Sequence, residues 1–524
     1  MDRTSRLVLL AALGLGVFLS GLELMVTAVA LPSIVTDLAS WTQLRLASWI
    51  INGYLLATVI TMPLAGRLAD QWGARRLFLA GLVLFTVGSA LAGRAQSLEE
   101  LVAARIIQAI GGGILVPVAT AAASHLFEDR DRPKALGFVG GLTFLGMAAG
   151  PFVGAWIIGG VHPAAALEGL GLTTGPLHDA FAAPWRYVFY VNVPFGVAAL
   201  ALSWAAAAGW ETHRQPGSVD LRGALVFSIG IGLVLGATTL AGSDEVAGGR
   251  IDPALALGSA AGLGLLAMAL SARIGLRHPR AFFDASLFRH RGFSSAALVS
   301  LLTGYGFATA IVGGAVFVDR VLYGGPDVQR VALGALAGAT AIGALGAGFA
   351  VRVVGLRAVT VVGLGLSVVA LVGMSSWTSN TSIVSVAGLL AIFGLGFGLT
   401  VTPRSTAAVA AVGRAAFGVA SATVTVARML GMAIGLAALT AFGSTTIDRL
   451  YRQVYATPES YRAFIPEALR DRPLKDGLVV QALERWAADE ASRIMVGIFL
   501  IAALVTAIAL LPALAFERRT RLES

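Results

Sequence analysis

The chain has no cysteine, only six histidines and few charged residues for its length of 524. The absence of cysteine excludes disulfides, thiolate metal ligands and cysteine nucleophiles. The histidines are scattered, without the close spacing of metal ligands, so we predict neither a metal site nor any other cofactor. Charged residues make up 13% of the chain, hydrophobic residues make up 57%, and the mean hydropathy is +0.81. This composition is typical of a protein that lies mostly inside a membrane and not of a soluble enzyme.

The positive charges are concentrated in short segments between apolar runs. A net charge of +9 is compatible with nucleic-acid binding, but this distribution indicates control of membrane topology, and we expect no nucleic-acid partner. With a cytoplasmic N-terminus, nearly every arginine-rich segment falls inside, and both termini are cytoplasmic. The predicted cytoplasmic loops then contain Arg75, Arg76, Arg214, Arg280, Arg357 and Arg404.

Long apolar runs predict an all-α integral membrane protein with about fourteen spanning helices. The first run is too long for a signal peptide and no small-residue cleavage site follows it, so we expect it to be retained. The predicted spans lie near residues 7–32, 46–65, 77–95, 98–122, 135–160, 187–209, 222–242, 254–274, 294–321, 330–350, 358–377, 383–402, 415–443 and 493–515.

A weak internal repeat divides the chain into two parts. Gly66, Gly73 and Arg75 recur at one constant offset as Gly348, Gly355 and Arg357. Each set follows the second helix of what would be a six-helix half, if the pair of helices near 222–274 is an insertion. Parallel repeats of this kind are found in transporters that bind substrate between their halves.

The repeat predicts three regions. We expect an N-terminal six-helix half at 1–209, a cytoplasmic linker with two extra helices at 210–280, and a C-terminal half at 281–524. Within the last region, residues 444–492 combine balanced charge with helical patterning, so we expect an ordered external extension of the flanking helices. A floppy loop is the alternative.

Glu23 lies about two-thirds of the way along the first apolar run, where a carboxylate is costly by several kcal/mol. On a helical repeat it shares one small, polar face with Gly16, Ser20 and Thr27. That face should look into a bundle or a wet cavity and not into lipid. We therefore interpret Glu23 as a functional residue, with a snorkelling or salt-bridged structural acid as the alternative.

The segment from Gly66 to Arg76 has the most specific pattern, GxLADxxGxRR. Glycines allow close turns between helix ends, and Asp70 can pair with arginines across one membrane face. The pattern resembles motif A of the major facilitator superfamily, in which the acid and the arginines lock the cytoplasmic side. The resemblance implies a cytoplasmic gate made of Gly66, Asp70, Gly73, Arg75 and Arg76. In the second copy Arg352 stands in the place of Asp70, so we expect the gate to be asymmetric.

Two further segments strengthen the resemblance. ARIIQAIGGG, with Arg105, Gln108 and Gly111, is similar to motif B of the superfamily, whose intramembrane arginine is linked to proton transfer. WRYVFYVNVPFG, from Trp185 to Gly196, matches the stretch that opens the sixth helix of fourteen-span drug exporters. Each segment alone is compatible with ordinary helix packing, but their order and spacing together favour the family.

The glycine-rich run from Gly137 to Gly154 resembles motif C, which is associated with antiporters. Glycines at helical spacing let two helices approach closely, and proline introduces a bend. The resemblance implies that the motif C residues here are Gly146, Gly150, Pro151 and Gly154.

The depths of the intramembrane charges predict which of them can meet. Glu23 lies about 13 Å from the outer end of its helix and Arg105 about 10 Å, so the two are at similar depth and can pair. The family resemblance implies that this pair serves proton coupling. Related exporters usually have aspartate where this chain has Glu23, which keeps the carboxylate and adds one methylene.

Arg428 lies about 18 Å into its helix and needs an acid, a substrate headgroup or water. Its segment, VARMLGMAIGLAALTAFG, resembles the eleventh helix of mycobacterial-type triacylglyceride exporters, which also have a long external extension. Those exporters have an acid in the motif C helix where this chain has Phe144. We expect Arg428, Thr27 and Gln108 to line the cavity or contact a substrate headgroup.

The resemblance implies a proton-coupled exporter of amphiphilic or hydrophobic compounds, either drugs or lipids, that works by alternating access in a bacterial cytoplasmic membrane. A dedicated triacylglyceride-type exporter, with lateral lipid entry and a functional extension, is the alternative. The expected partners are protons, amphiphilic small molecules or lipids, the bilayer and an external lipid-carrier protein, and we expect a monomer. An enzyme would need a nucleophile, metal site or paired carboxylates, and a channel would need a selectivity ring; the sequence indicates neither.

Overall fold

The computed structural model is helical in the part of the chain that it describes. This part comprises residues 3–38, 44–127, 131–206, 210, 220–240, 253–275, 285–412, 420–439 and 460–517, without 162, 170, 172, 433, 436–437 and 474. Within these ranges there is no β-strand.

The N-terminal part consists of long helices joined by short links. The long helices are α1 (Arg3–Leu38), α2 (Leu44–Trp72), α3 (Ala74–Arg94), α4 (Leu98–Leu126) and α5 (Arg132–Gly160). Short helices follow, namely α6 (Pro163–Gly169), α7 (Pro176–Phe181) and α8 (Arg186–Tyr190), and they lead to α9 (Asn192–Ala205).

Two helices, α10 (Leu221–Leu240) and α11 (Pro253–Gly275), follow in the chain before the next set. They approach closely, because a methyl group added at Gly230 would lie 2.7 Å from the carbonyl oxygen of Gly264. The C-terminal set contains α12 (Arg291–Arg320), α13 (Pro326–Val354), α14 (Leu356–Met374), α15 (Ile383–Val412), α16 (within 420–439), α17 (Gly477–Ile508) and α18 (Leu510–Ala513).

Twelve of the spans in the described residues are long and apolar enough to cross a membrane. The predicted spans at 222–242 and 415–443 are not among them: the apolar stretch found in α10 is Leu225–Val234, and part of 415–443 lies outside the described residues. Large apolar side chains on the outer surface, such as Val353 at 82% exposure and Val384 at 78%, suit contact with lipid. The described chain is thus an all-helical membrane fold.

The internal repeat has a structural counterpart at two one-residue links. Gly73 joins α2 to α3 with φ of 90°, and Gly355 joins α13 to α14 with φ of 86°. Glycine adopts this backbone region without the penalty that a Cβ atom causes. The segment interpreted as a loop from Gly66 to Arg76 is therefore mostly helix, since α2 continues to Trp72 and only Gly73 is non-helical.

Helix pairing also repeats between the two sets. α1 packs against α5, and a methyl group at Gly150 would lie 2.6 Å from Cβ of Met25. In the second set, a methyl group at Gly304 on α12 would lie 3.2 Å from Cα of Arg428 on α16. Between the sets, α5 contacts α13, where a methyl group at Gly137 would lie 2.9 Å from the carbonyl oxygen of Ala344. Small residues thus allow close contact within and between the two sets.

The predicted extension is described from residue 460 onward. Helix α17 begins at Gly477, where the carboxylate of Asp476 accepts a hydrogen bond from the backbone of Leu478 at 2.9 Å. This bond holds the pKa of Asp476 below its ordinary value. Two short 3-10 turns pack on the first turns of α17, with the rings of Phe464 and Trp486 4.7 Å apart. The described portion is therefore an extension of α17 with a small apolar cluster of its own.

Candidate functional site

The polar face predicted on α1 is buried inside the bundle. Glu23 has no exposed surface, Thr27 is 1% exposed and Ser20 is 4% exposed. Helix α1 packs against α4, α5 and α9, so this face is enclosed by helices of its own set. A charged side chain in such a place requires partners from the protein.

Both carboxylate oxygens of Glu23 accept hydrogen bonds. Oε1 accepts from Nη1 of Arg105 and, at 2.8 Å, from the hydroxyl of Thr27. Oε2 accepts from Nδ2 of Asn192 at 2.6 Å. All three neighbours donate, and this arrangement suits an ionised carboxylate, which can only accept. The predicted pairing of Glu23 with Arg105 is confirmed, and its role in proton coupling stays a prediction.

Arg105 is held on several sides. Its Nη1 donates to Oε1 of Gln108 at 2.6 Å and its Nε donates to the carbonyl oxygen of Ile50 at 3.3 Å. Its Cζ lies 4.1 Å from the centre of the Tyr54 ring and 5.6 Å from that of Phe189. An ion pair, hydrogen bonds and two aromatic rings together offset the cost of burying this guanidinium. We call Glu23, Thr27, Arg105, Gln108 and Asn192 the Glu23 centre.

Asn192 is a member of this centre that sequence reasoning did not single out. It is the first residue of α9, and the tryptophan and arginine of the same motif fix its position. Trp185 donates from Nε1 to Asp37 at 2.8 Å, and Arg186 donates to two backbone carbonyls at the end of α3, at 2.6 and 2.9 Å. The asparagine in the WRxxFxxNxPxG pattern was the signal that could have identified it.

A pocket lies between the two sets of helices, next to the Glu23 centre. Its free volume of about 20 Å³ has room for roughly one water molecule. Tyr54 belongs to the pocket wall and to the surroundings of Arg105, so it connects the two. The wall is formed by Ser20, Gly21, Tyr54, Thr58, Met62, Val116, Thr143, Phe144, Met147, Phe307, Arg428, Met429 and Met432.

Of the three residues expected to line the cavity, Arg428 is found in the pocket wall. Thr27 and Gln108 instead bond to Glu23 and Arg105. The Cζ atom of Arg428 lies 5.5 Å from the centre of the Phe144 ring, and its Nε has no hydrogen-bond partner among the described residues. The structure therefore separates the predicted site residues into two groups: the Glu23 centre, in which the charges are paired, and a pocket wall that contains the cation Arg428.

The predicted position of Arg404 in a cytoplasmic loop is wrong. Arg404 is 2% exposed and lies inside α15, which continues through Pro403 to Val412. The apolar run ends at residue 402 and proline favours a helix end, but proline is tolerated in membrane helices whose freed groups find other partners. Nη1 of Arg404 donates to the hydroxyl of Thr303 at 2.5 Å, and its Cζ lies 4.9 Å from the centre of the Phe397 ring.

The motif C glycines hold α5 against α1. Methyl groups at Gly150 and Gly154 would lie 2.6 Å from Met25 and 3.2 Å from Val29, and Gly146 faces the carbonyl oxygen of Phe18 even more closely. Helix α5 continues through Pro151. These contacts fix the helix that carries Glu23, which is a structural reason for the glycine pattern.

The motif A residues lie at the link between α2 and α3. Gly66 is inside α2, Gly73 is the link, and Arg75 and Arg76 are in the first turn of α3, with Arg76 exposed. The side chain of Asp70 lies outside the described part of the chain. The gate that these residues were predicted to form stays a prediction.

Comparisons with known proteins agree with this architecture. The family described as Major Facilitator Superfamily matches residues 13–436. A triacylglyceride transporter of Mycolicibacterium hassiacum is 33% identical over 469 residues, which cover 87% of this chain and 83% of that protein. The multidrug transporter protein MdtP of Bacillus subtilis is 25% identical over 474 residues, covering 88% and 81%. A structure of the proton:xylose symporter XylE superposes with a TM-score of 0.60 at 14% identity, covering 96% of this chain and 95% of XylE.

Proposed function

Because the chain belongs to the major facilitator superfamily and has features of mycobacterial triacylglyceride transporters, we propose that it is a proton-coupled exporter of amphiphilic or hydrophobic compounds. The family and the transporter-named relatives indicate a transporter and not an enzyme. In the proposed cycle, the pocket between the two sets of helices opens to alternate sides of the membrane. Protons entering on one side drive the cargo out.

The observation that carries the proposal is the buried carboxylate of Glu23 beside this pocket. In its ionised form, Glu23 is matched by Arg105, Thr27 and Asn192, which all donate to it. A proton on Glu23 would cancel its charge, weaken the pairing with Arg105 and leave one carboxyl oxygen as a donor. The Tyr54 ring would pass the resulting shift of Arg105 to the pocket wall, since it contacts one and forms part of the other.

The proposal also includes the topology predicted above. Fourteen helices would form two six-helix halves at 1–209 and 281–524, with two further helices in the linker 210–280, and both termini would be cytoplasmic. The protein would function as a monomer in the cytoplasmic membrane of a bacterium. Asp70, Arg75 and Arg76 would close the cytoplasmic side of the pocket whenever its other side is open.

A dedicated lipid exporter is the second candidate. It is favoured by the 33% identical relative that is named a triacylglyceride transporter and by the packed turns that extend α17. In that case lipid would enter sideways from the bilayer, and the extension would pass it to an external carrier protein. The multidrug transporter among the relatives favours the broader range of cargo.

The test is export from proteoliposomes with an imposed pH gradient, using an apolar dye and a labelled triacylglycerol as separate cargoes. We expect wild-type protein to move at least one of them only when the gradient is present, and Glu23→Gln to reduce this gradient-driven export at least about a hundredfold. Glu99→Gln, which changes an exposed carboxylate at the start of α4, is the matched control and should keep full activity. Unchanged gradient-driven export by Glu23→Gln would remove Glu23 from the mechanism, and export of triacylglycerol alone would decide for the second candidate.

A further inference from the structure

Helices α12 to α16 of the C-terminal set are nearly free of acidic residues. From residue 285 to residue 447 the acids are Asp319 and Asp327, which flank the connection between α12 and α13. Arg404 lies about two turns before the end of α15 at Val412, toward the opposite end of the bundle. Arg428 lies about two turns after residue 420 of α16, at the same end. Neither arginine can therefore be neutralised by an acid of α12 to α16. The acids of α17 lie in its first half, at the end of the bundle where Asp489 accepts a hydrogen bond from Ser379 between α14 and α15.

The N-terminal set does not supply the missing charge in the described structure. Glu23 is already bonded to Arg105, Thr27 and Asn192. Among the described residues, no carboxylate lies within ion-pair distance of Arg404 or Arg428.

The two guanidiniums lie against the same group of aromatic rings. Phe144, Phe307 and Phe397 are in mutual contact, with ring centres 4.4 to 5.6 Å apart. Arg428 lies against Phe144 and Arg404 lies against Phe397. Phe144, Phe307 and Arg428 are part of the pocket wall, and Arg404 lies behind this wall, against Phe397.

One turn of α12 brings the arginines together from the other side. Thr303 accepts the hydrogen bond from Arg404 at 2.5 Å. The next residue, Gly304, lies so close to α16 that an added methyl group would be 3.2 Å from Cα of Arg428. Arg404 and Arg428 thus approach the same turn of α12 from different helices, Arg428 in the pocket wall and Arg404 behind it.

An arginine without a counter-charge at membrane depth is costly. An anion in the pocket would supply the counter-charge, and an apolar chain attached to it would meet the flexible methionines Met62, Met147, Met429 and Met432. A neutral lipid would offer ester oxygens but no charge. We propose that Arg428 and Arg404 form a binding site for the anionic headgroup of the cargo, so that the preferred substrates are amphiphilic anions such as a fatty acid carboxylate. This inference rests on the proposed function, because it names the class of compound that the exporter carries.

The test compares a fluorescent fatty acid with its methyl ester, which has the same chain and no charge. Binding of each probe to the purified full chain in nanodiscs of neutral lipid is measured by fluorescence, without a pH gradient. We expect the wild type to bind the acid at least about tenfold more tightly than the ester. Arg428→Gln and Arg404→Gln should each lose about tenfold in affinity for the acid and leave the affinity for the ester unchanged. Arg428→Lys and Arg404→Lys keep the charge and should retain the preference, and Arg493→Gln, at an exposed position of α17, is the control.

Equal wild-type affinities for acid and ester would overturn the inference, and this comparison decides even where a glutamine variant fails to fold. Glutamine variants that still bind the ester but keep the preference for the acid would also overturn it. Because the binding assay needs no gradient, its result is independent of proton-driven export. Anion preference without export would contradict the proposed function alone, and gradient-driven export of a dye without anion preference would contradict the anion site alone.

Discussion

The two buried charge centres of this protein are built in opposite ways. At the Glu23 centre, the chain supplies both charges, and the carboxylate oxygens are occupied by Arg105, Thr27 and Asn192. Around Arg404 and Arg428, the chain supplies two positive charges, one threonine hydroxyl and aromatic rings. Among the described residues, this second pair has no acid.

The difference shows which charges the protein neutralises with its own residues and which it leaves for a ligand to neutralise. A buried ion pair whose two charges both come from the chain needs no ligand to neutralise it, and a proton on the acid can switch it off. Cations that lack a counter-charge are stabilised only when something else brings one. The first arrangement suits a coupling site and the second suits a cargo site, and the pocket joins them through Tyr54 and Phe144.

The largest effect is expected when the Glu23 centre loses one charge. Arg105→Gln leaves the buried carboxylate without its counter-ion, and Glu23→Gln leaves the buried guanidinium without its own. Each should lower the free energy of unfolding by about 3–5 kcal/mol, whereas the double variant should lose clearly less than the sum. Denaturant unfolding in mixed micelles measures this coupling, with Glu99→Gln as the control. Additive losses would mean that the two charges do not act as a pair.

A second prediction concerns a variant in which the Arg404–Arg428 pair gains an acid and so resembles the Glu23 centre. Phe144→Glu places a carboxylate where a ring now lies 5.5 Å from Cζ of Arg428. This internal acid should compete with the anionic headgroup and reduce the preference for the fluorescent acid over its ester by about tenfold. Phe144→Gln has the same shape without the charge, so it should leave most of the preference in place. Equal loss in the two variants would show that removal of the ring, and not the new charge, matters.

The smallest effect concerns the residue shared by the centre and the pocket. The Tyr54 hydroxyl has no hydrogen-bond partner among the described residues, but its ring lies against Arg105. Tyr54→Phe should therefore change the free energy of unfolding by less than about 0.5 kcal/mol. Tyr54→Leu should lower it by about 0.5–2 kcal/mol, because the cation–π contact is lost. Unfolding of the two variants side by side checks this, and equal losses would assign the role of Tyr54 to its hydroxyl.

The sequence was sufficient to predict the ion pair of the Glu23 centre, because each of its two charges is conspicuous in an apolar run. A carboxylate and an arginine inside apolar runs are anomalies, and the rise per residue puts them at matching depth. The resulting pair is confirmed. Asn192 could not be assigned in this way, because a neutral amide is no anomaly and its approach to Glu23 depends on how α8 and α9 are anchored by Trp185 and Arg186.

Arg404 shows why only one member of the Arg404–Arg428 pair was predicted from the sequence to lie inside the membrane. An arginine beside a proline at the edge of an apolar run has the same appearance as an arginine that sets topology. What distinguishes them is whether the helix continues, and here α15 continues to Val412 with Arg404 bonded to Thr303 of α12. The number of membrane-spanning helices is also not fixed by hydropathy alone, which predicts about fourteen spans where the described residues contain twelve candidates.

The one-residue links at Gly73 and Gly355 restrict how the pocket can widen. A slide of one helix by a full turn along its neighbour covers about 5.4 Å, and consecutive Cα atoms are about 3.8 Å apart. The links leave no spare chain for such a slide, because α2 and α3 meet at a single glycine, as do α13 and α14. Each pair of helices must therefore move as one unit. The room that a cargo molecule needs has to come from tilting these two units apart.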